Sequence, residues 1–244
     1  MKPEPPNPAF HPLYRKIKRL ITDGLERGEW RPGEPIPSEI DLAKRFNVSQ
    51  GTVRKAVSEL AAENVLVRRQ GRGTFVASHA HERSQLAFLR ITPDRGPVNS
   101  LSAELLECRR LKADAASATI LELDPGAQVV RVRRVLSING RRTIVEEARL
   151  PGVMFPGLGP EVIEQYGCML YSMYELAFRV KIVAAEERLK AVAADADTAS
   201  ILEVPAGTPL LMMERVAYTY GRKPVELRRG LCITTEHHYA NVIS

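Results

Sequence analysis

Two helix starts and a hairpin can be marked off in residues 38–76, SEIDLAKRFNVSQGTVRKAVSELAAENVLVRRQGRGTFV. Ser49 is placed to cap a helix with its hydroxyl. Val53, Ala56, Val57 and Leu60 follow at helical spacing and form one apolar stripe. Gln50, Gly51, Thr52, Arg54 and Lys55 are left to project from the opening turns, at the end of a helix that attracts anions. Upstream, Ser38 caps a shorter helix, with Asp41 three residues on as a shorter relative of the capping-box acid. Ile40, Leu42, Ala43 and Phe46 supply its apolar side, and Asn47 breaks it. Downstream, Val65–Val67 and Thr74–Val76 read as strands, joined by a glycine-containing hairpin, Arg68–Gly73, that carries three arginines. Two helices joined by a short turn and followed by a basic hairpin are the parts of a winged helix-turn-helix.

Working outward, Leu13, Ile17, Leu20, Ile21 and Leu25 predict a first helix from Leu13 to about Arg27. The segment GEWRPGEPIP then supplies turn and breaker chemistry. Residues 1–10 hold four prolines and read as a disordered lead-in. At 244 residues two domains are expected. Residues 1–78 carry 14 Lys and Arg against 9 Asp and Glu, whereas residues 79–244 carry 21 against 20. A basic head on a nearly neutral body points to a polyanionic partner for the head. The three cysteines are widely spaced and form no metal or disulfide pattern. The absence of a signal-like or membrane-spanning run leads to the expectation of a soluble, cytoplasmic protein.

Residues 79–86 read as a polar linker, with His79 and His81 as solvated residues, and residues 87–244 as a second domain. That domain repeats itself at an offset of 81: residues 120–145 align without gaps on residues 201–226, with eight of the 26 positions identical. Both copies run from Ile-Leu-Glu through a glycine turn to an Arg-Val pair and a second glycine turn, which predicts two related β-hairpins in one antiparallel sheet. A helical stretch is expected before each hairpin, in the second copy with Leu189, Val192, Ala193 and Ala196 facing the sheet. A further helix is expected from Cys168 to about Phe178, with Leu170, Tyr174 and Phe178 on one side.

The first half resembles the winged-helix domain of GntR-type bacterial transcription regulators over its whole length. The resemblance is carried by the leading Leu13-Tyr14, the turn Gly28–Gly33, Pro37-Ser38-Glu39, the V-S-x-x-T-V-R of Val48–Arg54 and the G-R-G-T-F-V of Gly71–Val76. Gln50 stands where family members usually carry Arg. Since Arg suits guanine and Gln adenine, the operator is expected to depart from the usual family sequence at that step. The second half, from about Arg83 to Tyr239, is similar to the effector-binding domain of the HutC branch of these regulators, which shares its fold with chorismate lyase. Glu146, Pro151, Ser172, Glu187 and Glu226 fall on its pattern.

The resemblance implies an α+β chain, a winged helix-turn-helix domain followed by a chorismate lyase-like antiparallel β-sheet domain with helices. It implies a DNA-binding transcription regulator, with repression the expected sense, controlled by a small-molecule effector. Ser49, Gln50, Thr52 and Arg54 are the candidates for contacts to operator DNA, with Arg72 and Gly73 on the wing and Pro37, Ser38 and Arg45 on the backbone. Arg134, Glu146, Ser172 and Glu226 are the candidate effector contacts. Arg134 and Glu146 equally suit a structural cross-strand pair. Leu136 stands where many relatives have a second Arg, and Cys232 where they often have Tyr. One cation fewer disfavours a phosphorylated or doubly anionic effector. Of His237 and His238, neighbours on a strand, at most one can face the pocket. A homodimer on a palindrome is expected, with no cofactor, no metal and no membrane. The competing readings are a chorismate lyase-like enzyme, with Glu146 or Glu226 as acid or base, and a GntR regulator with an all-helical, metal-binding effector domain.

Overall fold

The computed structural model describes residues 12–78, 89–167 and 169–241. The Pro-rich lead-in, the linker with its two histidines, and Cys168 at the expected start of a helix lie outside the described residues. The chain divides into two compact units, residues 1–78 and 79–244.

In the first unit, α1 (Leu13–Glu26), α2 (Glu39–Phe46) and α3 (Gln50–Ala62) precede a hairpin of β1 (Leu66–Arg69) and β2 (Gly73–Val76). Ile17, Ile21, Leu42, Val53, Ala56, Val57 and Leu60 are buried at their mutual contact. Each Val, Leu or Ile among them contributes about 1.5–3 kcal/mol on full burial. Leu13 and Ile40, expected on the apolar sides of their helices, are instead 51% and 53% exposed. Both sit in the first turn, beyond the part of the helix that its neighbours cover.

The helix caps follow from the sequence. Ser38 Oγ accepts from the Asp41 amide at 3.2 Å and donates to the Asp41 carboxylate at 2.6 Å. Asn47, at φ 52°, closes α2, and Ser49 Oγ accepts from the Thr52 amide at 3.2 Å to open α3. The Ile36 amide donates to Thr74 O at 2.9 Å, adding a short third edge to the hairpin.

The second unit is built on a six-stranded antiparallel sheet in the order β4-β5-β6-β9-β8-β7. Its elements are β3 (Ile91–Pro93), β4 (Leu101–Lys112), α4 (Ala115–Ile120), β5 (Gln128–Ile138), β6 (Arg141–Pro151), α5 (Pro160–Tyr166), α6 (Leu170–Phe178), β7 (Ala184–Ala193), α7 (Ala196–Leu202), β8 (Pro209–Tyr218), β9 (Pro224–Ile233) and β10 (His237–Tyr239). The repeat is longer than the aligned stretch, since β4-α4-β5-β6 recurs as β7-α7-β8-β9. The two copies meet where β6 pairs with β9. Asp114 and Asp195, one repeat apart, cap α4 and α7 by accepting from the Ser117 and Thr198 amides at 2.8 and 2.7 Å. Each helix packs on the inner strand of the other copy, α7 on β6 and α4 on β9.

Residues 184–193 correct the expectation of a long helix before the second hairpin. They form the edge strand β7, Leu189 is 42% exposed, and only Ala196–Leu202 is helical. AAEERLKAVA is rich in good helix formers, but pairing along the whole of β8 overrides that propensity. At the first hairpin Asn139 and Gly140, at φ 51° and 80°, provide the left-handed pair that a two-residue turn requires.

Alternation along the strands separates two faces. Val135 and Val145 pack with Ala199 and Leu202 of α7 on one. The other carries α5 and α6 at one end, where Tyr171, Met173 and Tyr174 pack on Val130, Val132, Ala217 and Val225. Its opposite end is covered by the β3–β10 pair, through Ile91 and Tyr239 on Leu136, Ile138 and Ile144.

Candidate nucleic-acid interface and ligand pocket

The start of α3 presents the side chains left over by its buried stripe. Gln50, Arg54 and Lys55 are exposed, and Thr52 is half-buried with its hydroxyl 2.9 Å from that of Ser49. Arg54 Nε donates to Glu39 Oε2 at 2.9 Å, and Arg68 of β1 donates to Glu39 Oε1 at 3.0 Å and to Ser58 Oγ at 3.1 Å. Glu39 therefore gathers one arginine from α3 and one from the hairpin. Arg72 is exposed at the hairpin tip and pairs with no carboxylate among the described residues. Gly73, at φ 99°, adopts a conformation that residues with a side chain rarely take. Arg45 is more committed than the sequence suggests: it pairs with Glu29, and its guanidinium lies 5.5 Å from the Trp30 ring and 5.4 Å from Phe46. Pro37 is half-buried and Ser38 exposed, at the entry of α2.

On the second unit a row of charge crosses five strands on the face shared with α6. Glu187 on β7 stands opposite Arg215 on β8, Arg215 opposite Arg228 on β9, and Arg134 on β5 opposite Glu146 on β6. Arg215 Nε donates to Glu187 at 2.7 Å, and Arg134 Nε to Glu146 at 2.5 Å. At the central seam Gly230 lies opposite Glu146, and Arg228 reaches diagonally to within 3.4 Å of that carboxylate. Arg228 also donates to Glu226 at 2.5 Å, and Glu226 accepts from the hydroxyls of Tyr171 at 3.1 Å and Tyr174 at 2.6 Å.

Burial sets the protonation of this row. Desolvation alone would raise the Glu146 pKa, but Arg134 and Arg228 outweigh it and hold the carboxyl at about 2. Burial, with Glu226 beside it, pushes Tyr171 up to about 12, so its hydroxyl stays a neutral donor. Above the row is a cavity of about 70 Å³. Arg134, Glu146, Glu187, Arg215, Arg228 and Tyr171 form its polar side, and Leu101, Leu136, Ile144 and Met213 its apolar side. Leu89 and Arg90, just before β3, complete the wall.

Of the four pocket residues singled out in the sequence, Arg134 and Glu146 line the cavity and are also a buried cross-strand pair. The pairing is thus a structural one, at a place where the two side chains also border the cavity. Glu226 is fully buried behind Arg228, and Ser172 is buried on α6; neither lines the cavity. Arg215 and Arg228 were missed, although the offset of 81 maps Arg134 onto Arg215. The second turn, Tyr220–Arg222, is one residue longer, so Glu146 corresponds in register to Arg228. Neither histidine of β10 lines the cavity: His238 is exposed with Nδ1 2.8 Å from Asp94, and His237 is buried beside a separate depression. Among the described residues no group of three or more His, Cys, Asp or Glu is placed to hold a metal, and no helix is long and apolar enough to cross a membrane.

Comparison with known proteins assigns both units. Residues 13–76 match the model of bacterial regulatory proteins of the gntR family, and residues 99–238, more than half of the chain, match the UTRA domain. The chain is 32% identical over 224 residues to the HTH-type transcriptional repressor PhnF of Mycolicibacterium smegmatis, covering 91% of this chain and 87% of that protein. It is 28% identical over 222 residues to a probable fructoselysine utilization operon transcriptional repressor of Shigella flexneri, covering 90% of each. Its second unit is similar to the crystal structure of the ligand-binding domain of a GntR-family transcriptional regulator from Bordetella bronchiseptica, at 43% identity and a TM-score of 0.62, over 64% of this chain and 96% of that one. The chain belongs to the gntR family of bacterial regulatory proteins, in the HutC branch that carries a UTRA domain. It is a DNA-binding transcription regulator with an effector-binding domain, not an enzyme. The six-stranded sheet removes the all-helical alternative.

Proposed function

We propose that this gntR-family regulator is a repressor whose hold on its operator is set by a small molecule bound above the charged row of the sheet. The observation that carries the pocket assignment is that row: three arginines and two carboxylates face one cavity, with an apolar wall opposite. A few convergent polar groups in an otherwise apolar hollow are what a small-molecule site requires. Arg134 and Glu146 form its floor, Arg215, Arg228 and Tyr171 offer further donors, and Glu226 holds Arg228 in place. On the DNA side, Gln50, Thr52 and Arg54 face the bases or adjacent phosphates from the capped start of α3, where Ser49 leaves the remaining amides free for phosphate. Arg72 and Gly73 reach the backbone or minor groove, and Pro37 and Ser38 add a backbone contact. Arg45 joins them by exchanging Glu29 for a phosphate.

A single winged helix reads too little sequence for an operator, so the protein acts as a homodimer on a palindrome, in the cytoplasm. Control requires that the effector bind the DNA-competent and DNA-incompetent arrangements unequally. A fluorescence-anisotropy titration on the DNA upstream of the protein's own coding region, against excess nonspecific competitor, tests this reading. Competitor-resistant binding that a small molecule releases supports it. A complex that competitor removes entirely, with no small molecule altering it, contradicts it. Sedimentation in the same buffer gives the number of chains bound.

A further inference from the structure

The charges on the pocket wall do not balance. Arg134, Arg215 and Arg228 are each hydrogen-bonded to Glu146, Glu187 or Glu226, so three cations meet three carboxylates. Arg90 also lines the cavity and is half-buried, yet no carboxylate lies within ion-pair distance of it among the described residues. Its backbone is anchored at the cavity rim, because Arg90 O accepts from the Ala240 amide at 2.7 Å and the next residue, Ile91, is fully buried and paired with Tyr239. A guanidinium held at a partly apolar cavity without a counter-charge loses solvation, and an anion that docks on it restores that loss through charge-assisted hydrogen bonds.

We propose that Arg90 is the anion-receiving residue of this pocket and that the effector is a compact monoanion, a carboxylate with a small apolar body. The proposal rests on the cavity being the effector site. Size favours a small ligand, since the cavity measures only about 70 Å³. Charge limits it further. A dianionic phosphate monoester brings two charges to one uncommitted cation, beside Glu146 and Glu187. A neutral ligand leaves Arg90 without its counter-charge. Leu136, Leu101, Ile144 and Met213 offer the carboxylate's body an apolar seat.

The test uses the full chain and four probes at constant ionic strength: propionate, butyrate, butyramide and propyl phosphate. Affinities are read by calorimetry and thermal shift in the millimolar range that so few atoms allow. The expected result is that the carboxylates bind, that butyramide and propyl phosphate bind more weakly, and that Arg90→Gln weakens butyrate about tenfold while Arg90→Lys keeps part of the affinity. The proposal is overturned if neither carboxylate binds, if butyramide or propyl phosphate matches butyrate, or if Arg90→Gln binds butyrate as the natural chain does. Gly230 also lines the cavity, and Gly230→Val narrows it, because a Cβ there already lies 3.4 Å from Met213 Cε; this control distinguishes the cavity from Arg90. Butyrate binding lost in Gly230→Val but kept in Arg90→Gln leaves the cavity as the site and removes Arg90 from it. Binding kept in both variants removes the cavity as the site altogether.

Discussion

At the start of α3 the Arg54 side chain is 60% exposed and its partner Glu39 22%, whereas on the sheet Arg134 and Glu146 are 3% and 6% exposed. Both are arginine–glutamate pairs at hydrogen-bond distance, yet they are different devices. The exposed pair sits in high dielectric, contributes about 0–1 kcal/mol, and can exchange the carboxylate for a phosphate at little cost. The buried pair cannot be separated cheaply, because removing one partner leaves an uncompensated charge out of water, at about 3–5 kcal/mol. The residues proposed to contact DNA on the first unit are therefore separable from stability. On the second unit, the charged groups that line the cavity are also structural groups.

The sharpest way to break this contrast is Glu146→Ala. It strands Arg134 and weakens the hold on Arg228, so urea unfolding of the second unit should lose about 3–5 kcal/mol, together with any ligand-induced melting shift. Normal stability in this variant would mean that the row tolerates substitution as a surface does. The same carboxylate predicts an acid limb. Its folded pKa of about 2 lies below its ordinary 4.5, so its stabilisation is fully present above pH 4.5 and is lost as pH falls from there towards 2. Glu146→Gln should flatten that limb in a pH series of unfolding curves.

Smaller effects are expected on the first unit. Arg54→Ala should cost about 1–3 kcal/mol of operator affinity, with stability changed by no more than about 0.5 kcal/mol. Glu39→Gln should act more weakly still. It releases Arg54 and Arg68 and removes a negative charge near DNA, so nonspecific binding should tighten while the ratio of specific to nonspecific affinity falls. Titrations on operator and random duplexes at two salt concentrations read both quantities, and an unchanged ratio would deny Glu39 a positioning role.

The two units also differ in how far the sequence discloses them. The helix-turn-helix is local: Ser38, Asn47 and Ser49 mark its boundaries within twelve residues, and its buried stripe is periodic in one segment. The sheet is assembled from pairings far apart in sequence. The repeated hairpins could be read because glycine turns and the Arg-Val pair recur at one offset. The outer strands could not, since β4 and β7 are edge strands whose exposed Glu, Arg and Lys obscure the alternation of a half-buried strand. The pocket was half legible for the same reason. Arg134 and Glu146 flank one turn, so their pairing follows from hairpin geometry. Arg228 meets Glu146 only across the β6–β9 seam, and Arg90 reaches the wall from the segment before β3; neither neighbourhood is encoded nearby.

The measurement that bears most directly on the contrast is made on Arg54→Ala. Trp30 is the single tryptophan of the chain and is buried in the first unit, so its fluorescence follows the unfolding of that unit alone. Operator affinity by anisotropy and Trp30 unfolding in urea are recorded on the natural chain and the variant in one buffer. The account predicts that affinity falls about tenfold or more while the urea midpoint stays in place. An unchanged affinity at moderate salt, or a fall in affinity that tracks a lowered midpoint, would contradict it.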